Sequence, residues 1–253
     1  MESSNTGVNH RPLIGERSAH TPRTTVRLAA LFYLLIAAAA AVAHGYAPAQ
    51  LIVAGDVAAT IDNIAANTPL FRLGIVAEYV VLLSEVALCV LLYILFRPVN
   101  VALALTMASF RLVMTAIHGA NMLNQFVVLN LSGESATVAL LASGQRDALV
   151  QVFLDAYSAG FAIGIVFLVP HVFLLAYLVL ASGFLPRLLG LVLLAAACGY
   201  LFDSAALLAL PGYTETPTVL ALLIACAEVA FPLWLLVKGV DNEQWQQRTV
   251  MSA

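Results

Sequence analysis

Seven ionisable side chains in this sequence could carry chemistry: Glu78, Glu85, Arg111, His118, His171, Asp203 and Glu228. Each lies inside a long apolar run. A charged group in a membrane span is expensive, so its presence is a functional hypothesis by default. Glu78 and Glu85 are seven residues apart, as are Arg111 and His118. Each pair therefore shares one helix face, two turns apart. The two runs that hold these pairs are joined at Arg97-Pro98-Val99-Asn100. Residues equally far from Pro98 should lie at equal depth in the resulting hairpin. Glu85 and Arg111 are each 13 positions away; Glu78 and His118 are each 20. The symmetry predicts a Glu85–Arg111 pair near the midplane and a Glu78–His118 pair one layer outward.

Depth counting places the rest. His171 and Glu228 lie about nine residues, so about 14 Å, from an inner end, level with Glu85 and Arg111. Asp203 lies six residues from its helix's outer end, which groups it with Glu78 and His118. Asp155 falls farther out, at the interface. The outer layer then holds two carboxylates and one imidazole. It is neutral only if it holds protons or a cation. Glu78, His118 and Asp203 have the ligand types of a hydrolytic zinc or iron centre, which makes them weak metal candidates. No H-E-x-x-H, G-x-S-x-G or Walker pattern accompanies them, so the sequence leans away from an enzyme and no cofactor is predicted. Three readings follow. The leading one is a structural polar core that holds helices together where hydrophobic driving force is absent. The second is a proton- or ion-coupled small-molecule transporter. The third is an intramembrane, metal-dependent enzyme.

The elements that must position these groups are set by composition. The chain has 253 residues, 62% hydrophobic and 10% charged, with mean hydropathy +0.96. A soluble domain is about 45–50% apolar and about 25% charged. This excludes a soluble enzyme domain and a disordered chain. A net charge of -3 offers no basic excess for a nucleic acid. Apolar runs at about 26–44, 72–96, 101–130, 149–180, 188–209 and 218–237 each reach the roughly 20 residues of a helical span. The expected fold is all-α: an integral membrane bundle of six transmembrane helices over 24–240, with the lipid bilayer as its partner. Residues 1–23 read as a disordered tail and 241–253 as a second tail. Eight of the eleven cations fall on the tails, the adjoining span ends and the two short turns at 97–100 and 182–187; only Arg72 and Arg146 fall on the opposite side. The positive-inside rule places both termini in the cytoplasm.

Smaller signals refine this frame. Gly55-Asp56 before Val57 resembles an N-capped helix start, and Asn67-Thr68-Pro69 a stop, which predicts a short interfacial helix at about 56–66 in the first outer loop. A second one is expected within 134–147. Gly160 and Gly164 form a G-x-x-x-G that permits close helix packing. Three distant cysteines give no disulfide framework.

Several segments together resemble the bacterial membrane proteins grouped as domain of unknown function 4386. They are Arg27-Leu28-Ala29-Ala30-Leu31-Phe32-Tyr33, Gly55-Asp56-Val57, Leu70-Phe71-Arg72-Leu73-Gly74, Arg97-Pro98-Val99-Asn100, Phe110-Arg111-Leu112, Leu185-Pro186-Arg187, Gly199-Tyr200-Leu201 and Ala227-Glu228. The likeness spans about residues 23–240. It implies a multi-helix protein of the bacterial inner (plasma) membrane with no established activity, substrate or cofactor. It also implies acids at the positions of Glu78, Glu85, Asp203 and Glu228, Arg at 111 and His at 171. Asp is the commoner acid at the first two, and His118 matches the pattern less well. The resemblance thus supports the Glu85–Arg111 pair more than the Glu78–His118 pair.

Overall fold

The computed structural model describes residues 22–134, 138–210, 212–213 and 216–251; the tail expected at the N-terminus lies outside them up to residue 21. Every regular element among the described residues is helical. Helix α1 (Pro22–Ala40) does not end near His44. It continues through a π-helical turn (Ala41–Tyr46) into α2 (Ala47–Leu51), so the first span runs over Arg23–Leu51. After a turn at Gly55, where φ is +79° and only glycine is at ease, comes the expected short helix α3 (Val57–Ala66). Asp56 caps it, accepting from the Ala59 N–H at 2.9 Å. Thr68 and Pro69 then open α4 (Thr68–Phe96), the proline standing where its missing N–H costs nothing.

Two tight turns shape one end of the bundle. Asn100 accepts from the Leu103 N–H at 2.9 Å and starts α5 (Val101–Ser132) directly after Pro98. Gly183, at φ +78°, ends α6 (Ser143–Ser182), and Pro186 precedes α7 (Arg187–Ala209). Helix α8 (Thr218–Val237) completes the six spans, and α6 and α8 run on through Pro170 and Pro232. We call this the turn end and the opposite one the loop end. The second helix expected within 134–147 is, in the described residues, only a 3₁₀ turn at Val138–Leu140 before α6 begins. Residues 135–137 lie outside the description.

Among the described residues, six helices are long and apolar enough to cross a membrane, and the protein is a multi-pass membrane protein. They close a ring: α1 packs on α4, α4 on α5, α5 on α6, α6 on α7, α7 on α8, and α8 returns to α1. Polarity runs inside out. On α4, Leu83 is 72% exposed while Glu78 is 2% exposed. Such a surface is stable against lipid tails and unstable against water. The close α5–α6 pairing uses the two glycines: a Cβ at Gly164 would overlap the His118 ring, and one at Gly160 the Asn121 amide.

The turn end is packed solid by Leu88, Leu92, Phe96, Met107, Leu178 and Phe231, all at or below 1% exposure. The segment read as a C-terminal tail is instead helix α9 (Asn242–Met251), docked beneath this core. Trp245 Nε1 donates to the Leu95 carbonyl at 3.0 Å, and Arg248 Nη2 to the Ala181 carbonyl at 3.1 Å. Both carbonyls belong to last helical turns, which have no partner of their own within the helix.

Candidate functional site

The predicted Glu85–Arg111 pair is present and bidentate. Arg111 Nη2 donates to Glu85 Oε1 at 2.8 Å, and Arg111 Nε donates to Glu85 Oε2. Hairpin geometry brings them level, as equal distance from Pro98 requires. The remaining guanidinium nitrogen, Nη1, donates to the Tyr33 hydroxyl at 3.2 Å and lies 3.0 Å from His171 Nε2. His171 Nδ1 lies 2.9 Å from the Met107 carbonyl. A carbonyl only accepts and a guanidinium only donates, so Nδ1 carries the proton and Nε2 accepts. The ring is neutral, and Glu85 alone balances Arg111. This network ties α1, α4, α5 and α6 together at mid-depth with each charge satisfied. Tyr33 was not anticipated from chemistry. Its signal was present, since Tyr33 lies in one of the segments that carry the family resemblance.

One layer toward the loop end the arrangement differs. The Glu78–His118 pair is not formed. Glu78 has His44 as its near neighbour, with Nε2 2.8 Å from Oε2. The approach is off the hydrogen-bond axis, so Glu78 Oε2 is buried and has no hydrogen-bond donor. His118 instead directs Nε2 to the Phe161 carbonyl at 3.1 Å and stacks on the Phe161 ring, with centroids 4.7 Å apart and planes 7° apart. His44 meets the same ring at 4.9 Å. Sequence reasoning missed His44 because the apolar run stops there. The π turn over Ala41–Tyr46 carries the helix past this point and His44 to Glu78; such turns recur at functional sites.

These groups line a cavity. A chamber of about 160 Å³ is walled by Glu78, Glu85, Arg111, His44, His118 and Glu228, with apolar side chains of α1, α4 and α6 between them. A vestibule of about 430 Å³ lies beyond it toward the loop end, lined by Pro48, Phe71, Gln125, Tyr157 and Ser158 among others. His44 and Phe161 belong to both walls, so these two tilted rings form the partition. On the other side of Arg111 a void of only about 20 Å³ remains, room for about one water.

Asp203 is not part of this site. Its carboxylate accepts from the Tyr213 hydroxyl at 2.6 Å and from the Thr216 hydroxyl at 3.0 Å, tying α7 to the loop before α8. Counting residues gives height in the membrane but not direction around a helix, and α7 turns this face away from α4 and α5. The metal set of Glu78, His118 and Asp203 is therefore not assembled. No three His, Cys, Asp or Glu groups among the described residues converge as metal ligands. Glu228 does reach the chamber from α8 and accepts from the Tyr200 hydroxyl. It is nonetheless exposed, so it stands in a cleft where the chamber meets the bundle surface beside α1. Asp155 is exposed near the start of α6 and accepts from Gln151 at 2.8 Å, consistent with an interfacial position.

Comparison with known proteins adds three findings. Residues 28–239 match the family described as domain of unknown function DUF4386. An uncharacterised protein of Archaeoglobus fulgidus (strain ATCC 49558) is 30% identical over 166 residues, which cover 66% of this chain and 83% of the relative. No solved structure matches the chain.

Proposed function

The chain belongs to the DUF4386 family, and we propose that it is a proton- or ion-coupled small-molecule transporter of the inner (plasma) membrane. The observation that carries this reading is Glu78: a carboxylate 2% exposed, one oxygen without a donor, on the wall of a chamber adjoining a vestibule at the loop end. A purely structural core would give its buried carboxylates donors, because an unmatched charged group costs more than the roughly 1–3 kcal/mol of a neutral one such as the Ser132 or Ser204 hydroxyl. The Glu85–Arg111–Tyr33–His171 network meets that requirement; Glu78 does not. Glu78 is the group that takes up and releases the coupling ion. Arg23, Arg27, Arg97, Arg187 and Lys238 at the turn end favour that end in the cytoplasm, with the vestibule facing outward.

A pH step applied to proteoliposomes on a solid-supported membrane tests the reading. The wild-type protein should give a transient displacement current as Glu78 exchanges its proton, and Glu78→Gln should reduce it to the level of empty liposomes. Equal currents from both proteins would remove Glu78 from the role.

A further inference from the structure

We propose that the chamber takes a small primary ammonium ion with an apolar body, held by its N–H groups on the Glu78 carboxylate; this deepens the transporter reading and rests on Glu78 being its working group. The argument starts from charge. Arg111 is engaged by Glu85 through Nε and Nη2 and by Tyr33 and His171 through Nη1, so it is not free to receive an anion. That leaves Glu78 and Glu228 on the chamber wall with no guanidinium or ammonium partner. Among the described residues the ion pairs within 4 Å are Arg111–Glu85 and His44–Glu78, and the second is one imidazole wide. Three carboxylates, Glu78, Glu85 and Glu228, share the chamber wall with one guanidinium, which Glu85 holds, so the chamber favours a cation.

The walls decide which cation. A metal ion needs several oxygen or nitrogen ligands at once. Here no three acidic, imidazole or thiol groups converge among the described residues, and Ala37, Ala40, Leu82, Ile165 and Leu168 supply plain hydrocarbon between the charges. An organic cation has the matching halves: a charged head for Glu78 and an apolar body for these residues. The missing hydrogen bond narrows the class again. Glu78 Oε2 has an imidazole 2.8 Å away yet receives no hydrogen bond. A primary ammonium brings three N–H donors; a quaternary ammonium brings none. A volume of about 160 Å³ equals about five waters of liquid, which suits a solute of roughly ten heavy atoms or fewer.

Calorimetry on the full chain in detergent micelles tests this with 2-phenylethylammonium as the probe. The expected result is saturable binding that weakens about tenfold or more for 2-phenylethanol, which keeps the body but loses the charge, and for tetraethylammonium, which keeps the charge and the heavy-atom count but loses the N–H groups. This comparison uses only wild-type protein, so no variant needs to fold. Glu78→Gln should weaken the ammonium by at least the same factor. Equal binding of 2-phenylethanol, equal binding of the quaternary ion, or no saturable heat from the ammonium would each overturn the proposal. If the displacement current survives while the ammonium fails to bind, the ligand class falls and the transporter reading stands. If the ammonium binds but the current is absent, the site stands and coupling through Glu78 falls.

Discussion

Two polar layers, two helical turns apart, use the same residue types in opposite ways. Around Arg111, two carboxylate oxygens, a phenol, an imidazole and a backbone carbonyl are matched donor to acceptor. Around Glu78, an equally buried carboxylate has one off-axis imidazole for company and a cavity beside it. Burial alone would rank these sites together, at 4% exposure for Glu85 and 2% for Glu78. What separates them is satisfaction. A matched network holds helices; an unmatched group keeps its interaction free energy available for something that comes and goes.

The largest effect that can break this contrast is at Arg111. Arg111→Met leaves Glu85 charged, buried and unpaired, and should destabilise the fold by about 3–5 kcal/mol. Pairing it with Glu85→Gln should recover most of that loss, because the double variant removes both charges. Denaturant titration in mixed micelles reads both. If the double variant is no better than the single one, the layer is not an ion-pair lock.

Helix packing beside the Glu78 layer comes next. Gly164→Ala places a methyl into the His118 ring and should cost about 1–3 kcal/mol by overpacking. His118→Ala in the same chain should relieve the clash, giving a coupling measurable in a double-mutant cycle. Additive losses would mean that the two helices separate instead of crowding the ring.

Much of this was legible in the sequence, for reasons that also explain the gaps. Six spans followed from run length alone. The Glu85–Arg111 pair followed from a tight turn at Pro98, since a hairpin with a short link converts sequence distance into depth. That same logic failed for Glu78–His118 and for Asp203, because equal depth leaves direction around the helix axis undetermined. His118 turns to the α6 backbone, where Gly164 leaves space, and Asp203 turns to Tyr213 and Thr216. His44 was invisible for another reason. A π turn shifts the helical phase by a fraction of a turn, and no residue pattern in Ala41–Tyr46 announces it. The C-terminal segment read as tail because its composition is polar. Two side-chain bonds to helix-end carbonyls, from Trp245 and Arg248, dock it all the same.

Within the matched layer, the outermost ligand of Arg111 should matter less. Tyr33→Phe removes the hydroxyl that accepts from Nη1 but keeps the ring, whose centroid lies 5.0 Å from the guanidinium carbon. A loss of about 0.5–1.5 kcal/mol is expected in the same denaturant titration. A loss as large as that of Arg111→Met would show that Glu85 cannot hold the guanidinium alone.

The smallest stability effect is expected at Glu78, and it sharpens the comparison most. Glu78→Gln keeps the side chain's length and exchanges a carboxylate without a matched donor for a neutral amide. Burying a carboxylate without a hydrogen-bond donor is costly, so its removal should leave stability unchanged to within about 1 kcal/mol, or raise it. The same denaturant titration measures this. A structural role predicts the reverse, since a carboxylate that held α1 to α4 through His44 would be missed. The two layers then part along two axes at once: Arg111 variants lose the fold, while Glu78→Gln keeps the fold and loses the displacement current. A Glu78→Gln protein destabilised by several kcal/mol would place Glu78 beside Glu85 as a structural group and leave the chamber without its working residue.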